Sequence, residues 1–324
     1  AGPQRPSARA WPVETISMTP ANPLSVRAAA SPLRELVAQC DLLHTMAASA
    51  LLPFRRITPA VPWVHTEHLS GILAPETLPP LVRLALPSTL RLLARPDVVV
   101  AVGERLADAI RRRRKGEVMV IPNAVEHADT PVERRPLVDG RLSLVAVGGV
   151  IPRKGPETAV RVVAELVHRG WDVSLRWVGE GPQLAHVEAL AADLGVRDRV
   201  EFVGSFPSDG VLRELARADV FLLPTTAETF GVSIAEALAA GRPAVVGGNG
   251  GQAEFVEEPD GVLVDDRDPA TYADAVERVL ELNEGRSAAE IAERVRRRFT
   301  EESRRALYRR AYADAGIRHH GADA

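Results

Sequence analysis

Two carboxylates and a lysine are the groups in this sequence best placed to do chemistry. Glu228 and Glu236 stand in the segment AETFGVSIAEALAAG, residues 227–241, with seven residues between them. An apolar run, 218–224, comes before this segment, and another, 244–247, follows the stop signal Gly241-Arg242-Pro243. The order strand, loop, helix, strand puts the loop and the helix start at the carboxyl edge of a parallel sheet. Amides of Phe230, Gly231 and Val232 would point their N–H groups at a ligand there, and a helix N-terminus favours an anion. Carboxylates on either side could accept hydrogen bonds from hydroxyls carried by that anion, a combination that suits a sugar diphosphate. Each glutamate alone has a plainer reading, a solvated helix position for Glu236 and a cap for Glu228. The small residues Val232, Ser233, Ala239 and Ala240 around Glu236, and Thr229-Phe230-Gly231 after Glu228, favour a site.

A second stretch supplies positive charge. Residues 143–147 lead into Gly148-Gly149-Val150-Ile151-Pro152-Arg153-Lys154-Gly155-Pro156. Gly148 and Gly149 allow a backbone to come close to a ligand, and Pro156 takes an early helical position. Lys154 offers a compact point charge that suits a diphosphate, at the ligand edge of the sheet. Arg153 reads equally well as a site cation or a solvated loop residue. Lys115 and Lys154 are the only lysines among 40 basic residues, so a retained lysine draws notice.

The elements that must position these groups alternate cleanly in the second half. Strands are expected at 143–147, 173–178, 199–203, 220–223, 244–246 and 261–264. Helices are expected at 156–168, 183–194, 210–216, 232–240 and 269–282. Apolar strands alternating with amphipathic helices predict an α/β, doubly wound parallel sheet. The first half is sparser, with strands expected at 12–18, 41–44, 62–66, 97–102 and 117–121 and helices at 24–38, 81–94 and 104–114. Residues 126–140 read as a linker, 289–315 as one arginine-rich helix, and 318–324 as a frayed tail.

Bulk properties narrow the function. The 324 residues suit two domains, and 46% hydrophobic content is enough for two cores. A net charge of −3 and 4% aromatic residues argue against nucleic-acid binding. The one cysteine, Cys40, excludes an internal disulfide, fits a reducing, cytoplasmic setting, and reads as a small buried hydrophobe. The arginine bias points to a GC-rich, bacterial genome. No apolar run is long enough for a membrane span.

Several further pieces fall in a recognisable order: Arg153-Lys154-Gly155, Val178-Gly179-Glu180-Gly181-Pro182, Val200-Glu201-Phe202-Val203-Gly204, the two-glutamate segment, and Gly250-Gly251-Gln252-Ala253-Glu254. Together they make the second half similar to the donor-binding domain of retaining glycosyltransferase family 4, which has the GT-B fold. The first half resembles the family's acceptor domain more weakly, through Asp41-Leu42-Leu43-His44, Val64-His65-Thr66-Glu67-His68, Asp97–Ala107 and Val120-Ile121-Pro122-Asn123-Ala124-Val125. The resemblance implies two Rossmann-like domains facing a cleft: an acceptor domain at 1–130, a donor domain at 131–300, and a helix and tail at 301–324 that cross back to the first. No opening strand with a glycine-rich loop is found in the first domain, so it is expected to be incomplete.

Family roles carried onto matching positions make Lys154 the cation at the diphosphate leaving group and Glu228 the acceptor for donor sugar hydroxyls. They place the amides of Phe230, Gly231 and Val232 by the sugar and diphosphate, Glu236 on the ribose, and Val203-Gly204 by the base. His68 would reach the sugar from across the cleft, whereas His65 and His44 read as satisfied strand-end histidines and Asn123 as a hinge-loop residue. The family's usual arginine after the first glycine of the turn is here Gly149, and Arg153 would supply that charge instead.

The implied activity is metal-independent, retaining transfer of a sugar from a UDP- or GDP-sugar to a hydroxyl acceptor, with no cofactor. The base, sugar, acceptor and oligomeric state stay open. Arg111–Arg114 with Lys115 read first as solvated charges at a helix end, and second as a surface for peripheral contact with an anionic inner membrane. Competing readings are a nucleotide-sugar-binding protein without turnover and a nucleotide-sugar epimerase. A dinucleotide oxidoreductase is weaker, because the Gly148 turn lacks a third glycine and a downstream acidic partner.

Overall fold

The structure is a computed structural model that describes residues 13–135 and 141–316. Its first unit runs α1 (Pro23–Val37), β1 (Leu43–Met46), β2 (Trp63–Glu67), α2 (Pro80–Leu90), β3 (Val98–Ala101), α3 (Glu104–Arg111) and β4 (Glu117–Val120). The four strands form a parallel sheet in the order β1-β2-β3-β4. Val98, Val99, Val100 and Ala101 of β3 are all buried, as expected of a parallel strand covered on both faces.

The second unit contains β5 (Arg141–Val147), α4 (Pro156–His168), β6 (Asp172–Val178), α5 (Leu184–Asp193), β7 (Val200–Phe202), α6 (Ser208–Arg217), β8 (Val220–Leu223), α7 (Val232–Ala239), β9 (Ala244–Gly247), β10 (Gly261–Val264) and α8 (Pro269–Leu282). Its six parallel strands lie in the order β10-β9-β8-β5-β6-β7. Strands β5, β6 and β7 extend one way and β8, β9 and β10 the other. The topological switch therefore falls between β5 and β8, where open α/β sheets bind ligands. The loops that follow those two strands carry Lys154 and Glu228.

Most elements expected from the sequence form within a residue or two of the expected bounds, and the differences have physical causes. Residues 13–18 are unpaired and mostly exposed rather than a strand; residue 12 lies outside the described residues. The expected single helix at 289–315 is two helices, α9 (Ala288–Arg298) and α10 (Glu301–Asp314). The break is local: the buried Phe299 leaves helical geometry, and the Thr300 side chain caps the new helix by accepting from Ser303 N. Helix α9 packs on α7, while α10 lies against the first unit, with Leu307, Tyr308 and Ala311 packed on Val64, Val98, Val100 and Ile121. Residues 126–135 of the expected linker carry no helix or strand. Its remainder, 136–140, and the tail 318–324 lie outside the described residues.

Two smaller expectations are corrected. Cys40 is exposed rather than buried, because β1 begins only at Leu43 and leaves it in the turn after α1. Arg114 is not a solvated end charge but buried, with its guanidinium donating to Leu93 O at 2.7 Å and Asp97 O at 3.1 Å. The helix ends at Arg111, and the chain turns inward after it.

Candidate active site

The loops after β5 and β8 are stitched together by Arg153. Its carbonyl accepts from Thr226 N at 2.8 Å and from Thr225 Oγ1 at 3.1 Å, and its guanidinium donates to Ala227 O at 2.5 Å. Within this frame Lys154 Nζ lies 2.6 Å from Glu228 Oε1, Arg153 3.2 Å from the same oxygen, and Thr225 Oγ1 3.0 Å from it. Glu228 is buried, and the two cations are mostly so. A buried carboxylate persists only when it is paired and hydrogen-bonded, and these three donors meet that need. Among the described residues every hydrogen bond to this carboxylate goes to Oε1, leaving Oε2 for another donor.

Helix α7 begins immediately after this cluster. Its N-cap, Gly231, has φ of +92°, a left-handed conformation that a side chain would strain, and it offers no capping side chain. Val232 and Ser233, the first two helical residues, have N–H groups with no acceptor among the described residues. That is the open, partly positive end of a helix beside two cations. Glu236 lies one turn on and is partly buried. Burial foremost, and then the Glu126 carboxylate, raise its pKa from 4.5 to about 7.

The role expected of Phe230 rests on its backbone N–H, which has no acceptor among the described residues. Its ring is buried against Phe255 at 5.2 Å and Phe299 at 5.0 Å between centroids, so the side chain anchors the loop in the core. Gly148 closes β5, and its carbonyl accepts from Trp177 Nε1 at 2.7 Å. Gly149 follows it, facing the Glu180 carbonyl. Val203 and Gly204 stand beyond β7, where Gly179 N donates to Gly204 O at 2.8 Å and Ser205 N to Glu180 Oε1 at 3.4 Å. They lie along the same sheet edge, two strands from Lys154.

His68 comes from the first unit, just past β2, and its carbonyl accepts from Thr229 Oγ1 of the second unit at 3.2 Å. Burial foremost lowers the pKa of its imidazole, with His65 acting in the same direction and Glu67 opposing. The ring is therefore neutral at pH 7 and has no hydrogen bond among the described residues. His44 bonds Thr66 Oγ1 and Tyr312 Oη, and burial, then His65 and His68, lower it to about 4. Asn123 is partly buried in the loop after β4.

Two further residues had no role assigned from the sequence. Thr225, which bonds Glu228, gave no signal beyond a position after β8. Glu254 closes the segment Gly250–Glu254 and accepts from Glu104 N at 3.0 Å and Arg105 N at 2.9 Å. It thus caps α3 of the other unit, whose own N-cap, Gly103, has no side chain. A Cβ at Gly103 would sit 3.1 Å from Glu254 Oε1 and 3.2 Å from Thr229 O, so glycine permits the close approach.

Two parallel-sheet α/β units meeting at the carboxyl ends of their strands define the GT-B class. Residues 2–129 match the family model described as Glycosyltransferase Family 4, and residues 141–282 that of Glycosyl transferases group 1. The chain belongs to the GT-B glycosyltransferases of family 4 type. It is 33% identical over 253 residues to a D-inositol 3-phosphate glycosyltransferase of Acidothermus cellulolyticus, an alignment covering 68% of this chain and 55% of the relative. With a 2-deoxystreptamine glucosyltransferase of Streptomyces kanamyceticus it shares 30% identity over 239 residues, 68% of this chain and 62% of the relative. The chain thus spans less than two thirds of the length of either relative. In fold it is similar to sucrose-phosphate synthase from Thermosynechococcus elongatus, with TM-score 0.76, 23% identity, and 90% of this chain and 79% of that chain covered. Anabaena Alr3699/HepE in complex with UDP-glucose also has TM-score 0.76, at 20% identity, with 93% and 86% covered.

Proposed function

We propose that this protein transfers a sugar from a nucleoside diphosphate sugar to a hydroxyl acceptor with retention of anomeric configuration. The observation that carries the reading is the meeting of Lys154, Arg153 and Glu228 beside the open amides of Val232 and Ser233 at the switch point of the sheet. A diphosphate docked there faces two cations and a helix N-terminus. Glu228 then takes a sugar hydroxyl on Oε2, Glu236 takes the ribose hydroxyls, and neutral His68 meets the sugar from the other unit. Val203 and Gly204 flank the base.

In the reaction the bond from the anomeric carbon to the phosphate oxygen breaks, and the acceptor oxygen bonds to that carbon on the same face. The acceptor proton passes to the departing phosphate oxygen. Charge building on the diphosphate is met by Lys154, Arg153 and the helix end, groups preorganised before the reaction begins. These charges supply what a divalent cation would otherwise provide, so turnover should survive a chelator. The base, sugar and acceptor are taken as UDP- or GDP-linked and hydroxyl-bearing, like the donor of the UDP-glucose complex named above.

The test is a thermal-shift screen of nucleotide sugars followed by product analysis. One donor should stabilise the wild type, and Lys154→Ala should abolish that shift and lower kcat by ~100-fold or more. Equal stabilisation of both proteins would refute the site. Binding without transfer or donor hydrolysis would instead mark a nucleotide-sugar-binding protein, and an altered sugar in the absence of acceptor an epimerase.

For a peripheral membrane contact, a second surface joins the cluster Arg111–Arg113 and Lys115, which is exposed apart from the buried Arg114 beside it. Helix α2 exposes Leu81 at 81% and Leu84 at 79%, and no acidic residue lies between Glu76 and Asp97, a stretch that holds Arg83, Arg91 and Arg95. An exposed apolar helix face in a segment whose charged residues are all basic suits an anionic bilayer surface. Among the described residues no helix is long and apolar enough to cross a membrane.

A further inference from the structure

Glu67 is a fully buried carboxylate at the end of β2, one residue before His68. Its Oε1 accepts the backbone N–H of His68 and of Leu69, both at 2.8 Å. Oε2 lies 3.3 Å from His65 Nε2. His65, equally buried, places Nδ1 2.9 Å from Thr45 Oγ1 on β1, and that oxygen lies 2.9 Å from Trp63 Nε1.

Counting donors and acceptors fixes where the protons sit. An indole N–H can only donate, so Thr45 Oγ1 accepts from Trp63. The hydroxyl proton of Thr45 then has one acceptor among the described residues, His65 Nδ1, which must carry a lone pair. The ring proton is on Nε2 and is donated to Glu67. Oriented hydrogen bonds thus run from Trp63 to Thr45 to His65 to Glu67, each polarising the next. The carboxylate at the end has three donors, the condition on which an anion stays inside a protein.

The consequence falls on His68. Its N–H is held by Glu67 and its carbonyl by Thr229 of the donor loop, so its backbone is pinned on both sides. We propose that Glu67 is a positioning residue: oriented by the Trp63–Thr45–His65 chain, its carboxylate fixes the His68 backbone against the donor loop of the other unit, and with it the origin of the imidazole. The effect on turnover rests on the sugar-transfer reading above, whereas the proton arrangement does not.

The test uses the full chain, with nitrogen-resolved NMR of the histidine rings and amide exchange in the wild type and in Glu67→Gln and Thr45→Val. Wild-type His65 is expected as the neutral Nε2–H tautomer. In Glu67→Gln the carboxamide keeps its oxygen on the two backbone N–H groups and turns its NH2 toward His65. The ring must then switch to Nδ1–H, and exchange at His68 and Leu69 should quicken about tenfold, the effect of one weakened hydrogen bond. Thr45→Val keeps the shape, removes only the hydroxyl, and should also quicken exchange, while Thr45→Ser should restore the wild-type tautomer. With a UDP- or GDP-sugar that is turned over, kcat should fall ~10- to 100-fold in Glu67→Gln, as expected of a group displaced by a fraction of an ångström to 1 Å. The donor KM should stay within about twofold, since the diphosphate and ribose contacts belong to the other unit.

A wild-type His65 protonated on Nδ1, or on both nitrogens, overturns the chain. Unchanged amide exchange or unchanged kcat in Glu67→Gln overturns the positioning role. If the wild type turns over no nucleotide sugar, the sugar-transfer reading fails, and the ring spectra and amide exchange still decide this proposal.

Discussion

Glu236→Gln should stabilise the protein at neutral and alkaline pH but not in mild acid. The folded state raises this carboxyl from 4.5 to about 7, through burial first and the Glu126 charge second. A raised carboxyl binds its proton more tightly in the folded chain than in the unfolded one, so stability is lost as pH climbs through that window. Below 4.5 both states are protonated and the group contributes nothing. Each pH unit inside the window costs about 1.4 kcal/mol, which sums to about 3 kcal/mol by pH 7 and then levels off. The side chain is only partly buried, and solvent screening trims that plateau to about 1–2 kcal/mol. Urea unfolding of wild type and variant at pH 5, 6, 7 and 8 should show a gap that opens with pH in favour of glutamine. A constant gap, or a variant that is less stable at pH 8, would refute the reasoning. The stability gain should come with a functional loss. If the ionised carboxylate holds the ribose, wild-type donor affinity rises through pH 7, and the variant loses both the rise and most of the affinity.

Other outcomes follow from the same geometry. Glu254→Gln weakens the cap it lends to α3 of the other unit and should cost about 1 kcal/mol, with a larger loss of small-angle scattering compactness than of secondary structure; an unchanged scattering profile would show that the cap does not hold the units together. Phe230→Ala removes a ring packed on Phe255 and Phe299 and should destabilise the fold by about 3–4 kcal/mol in denaturant melts, whereas a fully stable variant with altered donor affinity would return Phe230 to the ligand. Leu84→Glu should reduce sedimentation with anionic vesicles while leaving the melting temperature within a degree or two, because the side chain is 79% exposed.

The sequence alone determined the second unit almost to the residue. Buried parallel strands such as Val220–Leu223 read as short apolar runs, and the helices between them keep a 3.6-residue period, so both signals are local. The placement of Lys154 and Glu228 was legible for the same reason: each lies in the loop that follows an apolar strand, at the carboxyl edge of a parallel sheet. Which strands become neighbours was not legible. Only the tertiary structure put β5 beside β8, and so brought Lys154 within 2.6 Å of Glu228 across a sequence separation of 74. It alone made Phe230 a core anchor, buried Arg114, left Cys40 exposed and residues 13–18 unpaired, and split the last helix at Phe299. The chain from Trp63 through Thr45 and His65 to Glu67 was equally hidden, although the histidine itself was read as satisfied. Periodicity reports which face of an element is dry. Partners for a buried polar group come from another element, and only the packing of the whole chain decides which one.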